Sequence, residues 1–299
     1  MYLVSPLQMK RIHSSKFLSR SAQQVSFIRR FASSLSSDQL VPIAEEQLHA
    51  GSTQDELAQA LQPHYKAQTP VVLRQAVATS PAVAKWQSLP YLQEKLEEEQ
   101  GSVEIGGSYV NNNVERPEIP LDQYVQYLQL FQAQYGAKGP DDPWHIPEEI
   151  NVSELVYLAQ NDLFQNLYQD VHIPALCDTS HPLFGHGQLY SVMLWLGPRG
   201  CVSPLHYDPL DNLLMQFVGR KRVLLFPPGN ADVYAAGSSN TSPVNVEDPD
   251  YTTFPTFREA PPAILCPSLN PGDALYIPAK WWHHVRSLDT SASVNVWWR

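Results

Sequence analysis

The sequence predicts a mainly β protein, a jelly-roll double sheet behind a short helical preface, and three observations carry that expectation. The 299 residues include 26 prolines and only 17% are charged, a loop-rich, apolar balance that suits packed sheets better than a helical bundle. From residue 188 onward the chain falls into short runs rich in Val, Leu, Ile, Phe and Trp, parted by turn residues. Helical spacing is confined to the first half.

The elements follow in order. Residues 54–62, "QDELAQALQ", have helical spacing, and "TPVVLR" (69–74) is a β-rich run after a proline. "GSVEIGGSYV" (101–110) reads as a short strand. "PLDQYVQYLQLFQAQYG" (120–136) is an amphipathic helix with Asp122 placed as a cap and Gly136 as a stop. Residues 137–152 hold three prolines and read as a loop. Then come "QLYSVMLWLG" (188–197), "DNLLMQFV", a Gly219-Arg220 turn into "KRVLLFPP", "PGDALYIP" (271–278), and the pair "WWHHVRSL" and "SASVNVWW" joined across Asp289-Thr290. From residue 38 on there is no internal repeat and no low-complexity linker. The expected division is a leader over 1–37, an N-terminal helical and strand part over 38–160, and the β core over 161–299.

Charge is unevenly distributed. Residues 1–37 contain Lys10, Arg11, Lys16, Arg20, Arg29 and Arg30, ten serines and no acid. That composition, with "RRFAS" at 29–33 resembling a processing site, predicts a mitochondrial (matrix) targeting leader; the alternative is a disordered basic arm. Beyond it 14 basic residues face 30 acidic ones, a net charge of −16. So acidic a body is a poor non-specific partner for phosphate backbones and attracts basic ones. No apolar run approaches the ~20 residues that span a bilayer. Cys177, Cys201 and Cys266 are odd in number and lack a CxxC pair, so they read as buried thiols rather than a disulfide framework.

The chemistry begins at "VSPLHYDPLDNLL" (202–214). In a strand, residues i and i+2 share a face, so His206 and Asp208 can address one ion. Alone, such a pair is more often a surface turn before two strands. A third donor in "IPAKWWHHVRS" changes the balance. Either His283 or His284 would complete two histidines and one carboxylate, the facial triad of non-haem Fe(II) oxygenases. Lys221 opens a run otherwise full of Val, Leu and Phe. It is either exposed, as strand-start lysines usually are, or paired with an anion such as the far carboxylate of a metal-chelating diacid.

"SPLHYDPLDNLL", "GRKRVLLF", "PGDALYIPAKWWHHVRSLD" and "SVNVWW" resemble the JmjC-domain 2-oxoglutarate/Fe(II) oxygenases. The nearest are the small JmjC-only arginyl hydroxylases of the lysine demethylase 8 type. The likeness runs from about residue 70 to Arg299 and takes in "KWQSLPYLQE", "VEIGGSY" and "YLAQNDLF". It implies a double-stranded β-helix of the cupin type with N-terminal helices, and a dioxygenase using Fe(II), 2-oxoglutarate and O2. It implies His206, Asp208 and His283 as iron ligands, preferring His283 to His284 because "W-H-x-V-R" begins at Trp282. It implies 2-oxoglutarate contacts at Tyr157, Ser203, Asn212 and Lys221, an aromatic cofactor contact at Trp297, and substrate contacts at Trp195 and Glu104, the latter holding a substrate guanidinium. "HYD", "LDNLL" and "GRKRVLLF" also resemble the JmjC hydroxylases that modify wybutosine in tRNA. The stretch 132–152 is longer than the arginyl hydroxylases lead one to expect, and would reshape the entrance.

Three functions follow for testing: a hydroxylase of a basic protein side chain, a tRNA base hydroxylase, or a non-catalytic JmjC binding module. The acidic body favours a basic protein or peptide partner over nucleic acid. A module that had lost catalysis would be expected to lack a ligand or the lysine, and this chain keeps them all. The ending at Trp298-Arg299, without C-terminal helices like those that dimerise some relatives, leads to the expectation of a monomer.

Overall fold

A computed structural model describes residues 40–106, 116–139, 150–178, 188–229 and 232–298. The leader expected over 1–37 lies outside the described residues, as do residues 140–149 of the loop expected over 137–152. In chain order the strands and helices are β1 (Leu40–Pro42), β2 (Ala44–Gln47), α1 (Gln54–Ala67), β3 (Val71–Arg74), α2 (Pro81–Lys85), α3 (Leu89–Lys95), β4 (Gln100–Ser102), β5 (Glu104–Ile105), β6 (Glu118–Pro120), α4 (Leu121–Tyr135), β7 (Val156–Asp162), α5 (Gln165–Tyr168), α6 (Ala175–Asp178), β8 (Leu189–Gly197), β9 (Val202–Tyr207), β10 (Asp211–Val218), β11 (Lys221–Phe226), β12 (Ala263–Leu269), β13 (Ala274–Ile277), β14 (Trp282–Ser287) and β15 (Ser291–Trp298).

Eight strands form one sheet in the order β2-β3-β13-β10-β15-β8-β7-β5, and five form the other in the order β1-β12-β11-β14-β9. β4 and β6 pair apart from both. Successive strands alternate between the large sheets: β8 lies in the first, β9 in the second, β10 in the first, β11 in the second, and β13, β14 and β15 repeat the pattern. That alternation is the jelly roll the sequence predicts. The turns at Gly219-Arg220 and Asp289-Thr290 do not close hairpins. β10 pairs with β13 and β15, whereas β11 pairs with β12 and β14. Both turns are corners where the chain leaves one sheet for the other. A local turn signal reports a reversal, and only tertiary pairing decides which sheet receives the next strand.

Period-2 alternation sorts each strand between layers. Leu213, Met215 and Phe217 of β10, with Val294, Val296 and Trp298 of β15, pack outward beneath the N-terminal helices. Leu214, Val223, Leu225, Leu275, Ile277 and Val285 fill the space between the sheets. Leu205, Leu224, Phe226 and Trp282 point away on the far side of the smaller sheet, where residues 233–260 cover them. β11, β14 and β15 are therefore buried along their whole length. β11 reads as the continuous apolar run Val223–Phe226 expected of a strand covered on both faces, whereas β14 and β15 bury His, Arg, Ser and Asn side chains among their apolar ones.

Helix α1 starts with a capping box, in which the Thr53 hydroxyl accepts from the Glu56 amide and the Glu56 carboxylate from the Thr53 amide. It outruns the expected 54–62 and passes Pro63 to Ala67, because Leu61 and Tyr65 keep packing on the core. Asp122 does not cap α4. Pro120 occupies that position with no side-chain bond, and Asp122 sits in the first turn, where a carboxylate suits the helix dipole. Of the run 101–110, residues 107–110 lie outside the described residues, and the rest divides between β4 and β5, which pair with different partners. Gly219, at φ +63°, tolerates no side chain, since a Cβ would strike the Thr290 carbonyl of the neighbouring corner. The three cysteines are free and buried.

Candidate metal and co-substrate site

β9 and β14 pair antiparallel, with His206 directly opposite His283. Their rings lie 4.2 Å apart, centroid to centroid. Each Nδ1 faces a backbone carbonyl two residues upstream, His206 on Pro204 at 2.7 Å and His283 on Trp281 at 3.0 Å. A carbonyl can only accept, so each Nδ1 carries the proton and each Nε2 offers its lone pair. Asp208 follows the end of β9, and its Oδ2 accepts from Trp297 Nε1 at 2.9 Å and from Asn212 Nδ2 at 3.3 Å. One donor atom from each of His206, Asp208 and His283 lies within 4.8 Å of the others, with His283 Nε2 at 3.7 Å from Asp208 Oδ2.

Burial, then the neighbouring His206, holds His283 below the usual histidine range. Burial works against an ionised Asp208, but the two histidines and the bonds from Trp297 and Asn212 outweigh it and keep the carboxyl below its ordinary value. A neutral imidazole lone pair and an ionised carboxylate are the forms a divalent cation needs. Both imidazoles and the carboxylate are already oriented by second partners. The residues therefore fit Fe(II), and the set leaves coordination positions for a chelating co-substrate and O2.

His284 is excluded from that set. It points to the opposite face of β14, its Nε2 lying 4.0 Å from Glu247, which also accepts from Arg222 and Arg286. Alternation along one strand turns its neighbour His283 toward His206 and Asp208 instead.

Lys221 settles the choice left open by its position: it is 2% exposed. Its Nζ donates to Ser293 Oγ at 2.6 Å and reaches Tyr157 OH at 3.4 Å. Burial pulls this amine down to about 7, against a smaller upward pull from Cys201. Lys221, Ser203, Asn212, Trp195 and Trp297 line the same cleft as His206, Asp208 and His283, and the cleft opens to solvent. Asn212 links the regions, since its Oδ1 accepts from Asn295 at 2.8 Å while its amide serves Asp208. Tyr157 meets the cleft through Lys221, and its ring lies 5.8 Å from that of Trp195.

Glu104 does not line the cleft. It pairs with Tyr157 across β5 and β7, is buried, and meets Arg116 at 3.0 Å. Burial raises it to about 7 against the opposing pull of Arg116. It is thus not a solvated strand carboxylate.

Ser293, Asn295 and Gln160 were not singled out in the sequence, yet Ser293 holds Lys221 and the other two line the cleft. The signal for two of them was present. In "SASVNVWW" Ser293, Asn295 and Trp297 alternate with Ala292, Val294 and Val296, so a polar inner face was legible once one face was known to be core.

A family model described as "Cupin-like domain" matches residues 57–299. The chain is 33% identical over 245 residues to lysine-specific demethylase JMJ30 of Arabidopsis thaliana, covering 80% of this chain and 52% of the relative. It is 32% identical over 267 residues to lysine-specific demethylase 8 of Xenopus tropicalis, covering 87% and 55%. With the tRNA wybutosine-synthesizing protein 5 of Homo sapiens it shares 26% identity over 253 residues, covering 83% and 76%. The chain thus spans about half the length of the two demethylases.

Proposed function

The chain belongs to the cupin-like domain family, and on that footing we propose that it is an Fe(II)- and 2-oxoglutarate-dependent dioxygenase that hydroxylates a basic protein side chain, releasing succinate and CO2. One observation carries the reading: two histidines and a carboxylate meet in a cleft that also holds a buried lysine. Bound Fe(II) supplies the activation of O2, by which one oxygen atom enters succinate as CO2 leaves and the other enters the substrate. His206, Asp208 and His283 hold the metal. Lys221, with Ser293 and Tyr157 beside it, receives the far carboxylate of 2-oxoglutarate. Leu214, Ile277 and Val285 give that end of the cleft an apolar wall, which excludes water and strengthens the ion pair. Glu104, outside the cleft lining and paired with Arg116 in the substrate's absence, anchors the substrate's cationic group by exchanging that partner, and arginine is the favoured target.

The experiment is mass spectrometry of arginine- and lysine-containing peptides, and of tRNA, after incubation with the protein, Fe(II) and 2-oxoglutarate. A basic peptide should gain one oxygen atom with matching succinate, and Glu104→Gln should raise its KM while leaving peptide-free turnover of 2-oxoglutarate unchanged. Oxygen added to tRNA alone would transfer the site to the nucleic-acid reading, which the net charge of −16 beyond residue 37 opposes. We further propose that residues 1–37 direct the chain to mitochondria. Fused to a fluorescent reporter they should carry it there, and a diffuse cytosolic signal would end that idea.

A further inference from the structure

Two corners lie at one end of the double sheet. Residues 208–210 carry the chain from β9 to β10, whose first residue is Asp211, and residues 278–281 carry it from β13 to β14. The first corner bears Asp208 and the second leads directly to His283. β9 and β14 are paired in one sheet and β10 and β13 in the other, so the corners run side by side. The β9–β14 ladder sets His206 opposite His283, but Asp208 lies beyond it, so its distance from His283 also depends on what joins the corners here.

Asp211 and Asp208 make that join. Asp211 Oδ1 accepts from the Ala279 amide at 3.2 Å and from Tyr276 OH at 2.8 Å. One residue on, the Lys280 amide donates to the Asp208 carbonyl at 2.7 Å. Lys280 has φ +66°, a left-handed conformation that costs a side-chain-bearing residue free energy and persists only where its surroundings impose it. Beyond it, the Trp281 indole donates to the Gln68 carbonyl at 2.9 Å, and the Trp281 carbonyl faces His283 Nδ1. Orientation of His283 thus runs back to a turn fastened to the loop that carries Asp208.

We propose that Asp211 is a positioning residue for the metal centre: its carboxylate clips the corner leading to His283 onto the corner carrying Asp208, setting the distance between the two donors. The inference rests on reading the triad as a metal site. Groups that orient metal-binding side chains from behind typically change affinity by about 10- to 100-fold when removed.

The test uses the full chain and Mn(II) as the probe, titrated calorimetrically and followed by electron paramagnetic resonance. Asp211→Ala should weaken Mn(II) binding about tenfold or more and broaden the bound signal. Asp211→Asn, which keeps the Oδ1 acceptor, should recover most of the affinity. Tyr276→Phe loses one of the two bonds to Asp211 but spares Ala279, so it should bind Mn(II) like wild type even where it lowers the melting temperature. Wild-type affinity in Asp211→Ala, or equal losses in Asp211→Ala and Tyr276→Phe, would overturn the clip and leave the metal reading standing. No Mn(II) binding by wild type would remove both. If Asp211→Ala does not fold, amide exchange in wild type decides: Mn(II) should slow exchange at Ala279 and Lys280, and unchanged exchange there sinks the proposal.

Discussion

Replacing His206, Asp208 or His283 by alanine is expected to weaken Fe(II) or Mn(II) binding by more than about 100-fold, beyond the range typical of outer partners, and to abolish turnover of 2-oxoglutarate. Each supplies one of three protein donors, and each is oriented before a metal arrives. His206 and His283 are held through Nδ1 by the Pro204 and Trp281 carbonyls, and Asp208 by Trp297 and Asn212. Alanine therefore removes a donor and strands its partner, and the remaining two donors cannot close the site. His284→Ala is the contrast. That imidazole sits on the other face of β14, buried beside Glu247. Its loss should cost roughly 0.5–3 kcal/mol of stability, the common range for a buried truncation, while metal affinity stays within a few-fold of wild type. Titration calorimetry and thermal melts of the four variants separate these outcomes. A His284→Ala protein that folds but binds no metal would show that the strand register assigned to β14 is off by one.

The second large effect is expected at Lys221. Removing one partner of a buried charge pair costs about 2–5 kcal/mol, or roughly 30- to 5,000-fold in affinity. An exposed lysine contributes under about 1 kcal/mol. Lys221 is buried and hydrogen-bonded to Ser293, so Lys221→Ala should raise the KM for 2-oxoglutarate by well over about tenfold and leave metal affinity nearly intact. Lys221→Arg should restore only part, because a planar guanidinium does not replace a compact ammonium. Arg220 makes an instructive neighbour. It is not a free surface cation, since it grips Asp289 at 2.8 Å and reaches the Gly139 carbonyl at 3.2 Å. Arg220→Ala should lower the melting temperature while leaving that KM near wild type.

The same lysine gives the site a pH dependence whose sign can be worked out. Without a ligand its amine sits at about 7, pulled down from 10.5 by burial. The anion favours the charged amine and raises that value on binding. Above about pH 7, then, 2-oxoglutarate should bind with uptake of a proton and its affinity should fall as pH rises; below that value this group should add no dependence. In the ligand-free protein the unfolded chain holds the extra proton between the two values, so this group's contribution makes the fold less stable as pH falls through that window. Calorimetry in buffers of different ionisation enthalpy at pH 8 reads the proton directly, and binding without proton uptake would exclude Lys221 as the anion's partner.

What the sequence alone determined is the set of features that live in local pattern. Short apolar runs parted by turn residues announced the strands, and β8, β10, β11, β13, β14 and β15 fall within the quoted runs. His206 and Asp208, two apart at the end of one run, and the histidine pair inside another, marked the candidate metal site before any contact was known. Tertiary structure decided what depends on partners far away in the chain. Gly219-Arg220 and Asp289-Thr290 look like hairpin turns because hairpins and sheet-crossing corners use the same turn chemistry, and only the pairing of β11 with β14 and of β10 with β15 tells them apart. By its position Lys221 could have been exposed or buried, and the layer formed by Ser293 and Tyr157 over its amine made the choice. Residues chosen for what they touch rather than for their own chemistry stayed silent. Asp211, in "PLDNLL", is one polar residue among many until the fold lays the 278–281 corner against it. Local propensity acts over a few residues, whereas a donor set, a buried charge and a clip between corners exist only once distant strands are brought into register.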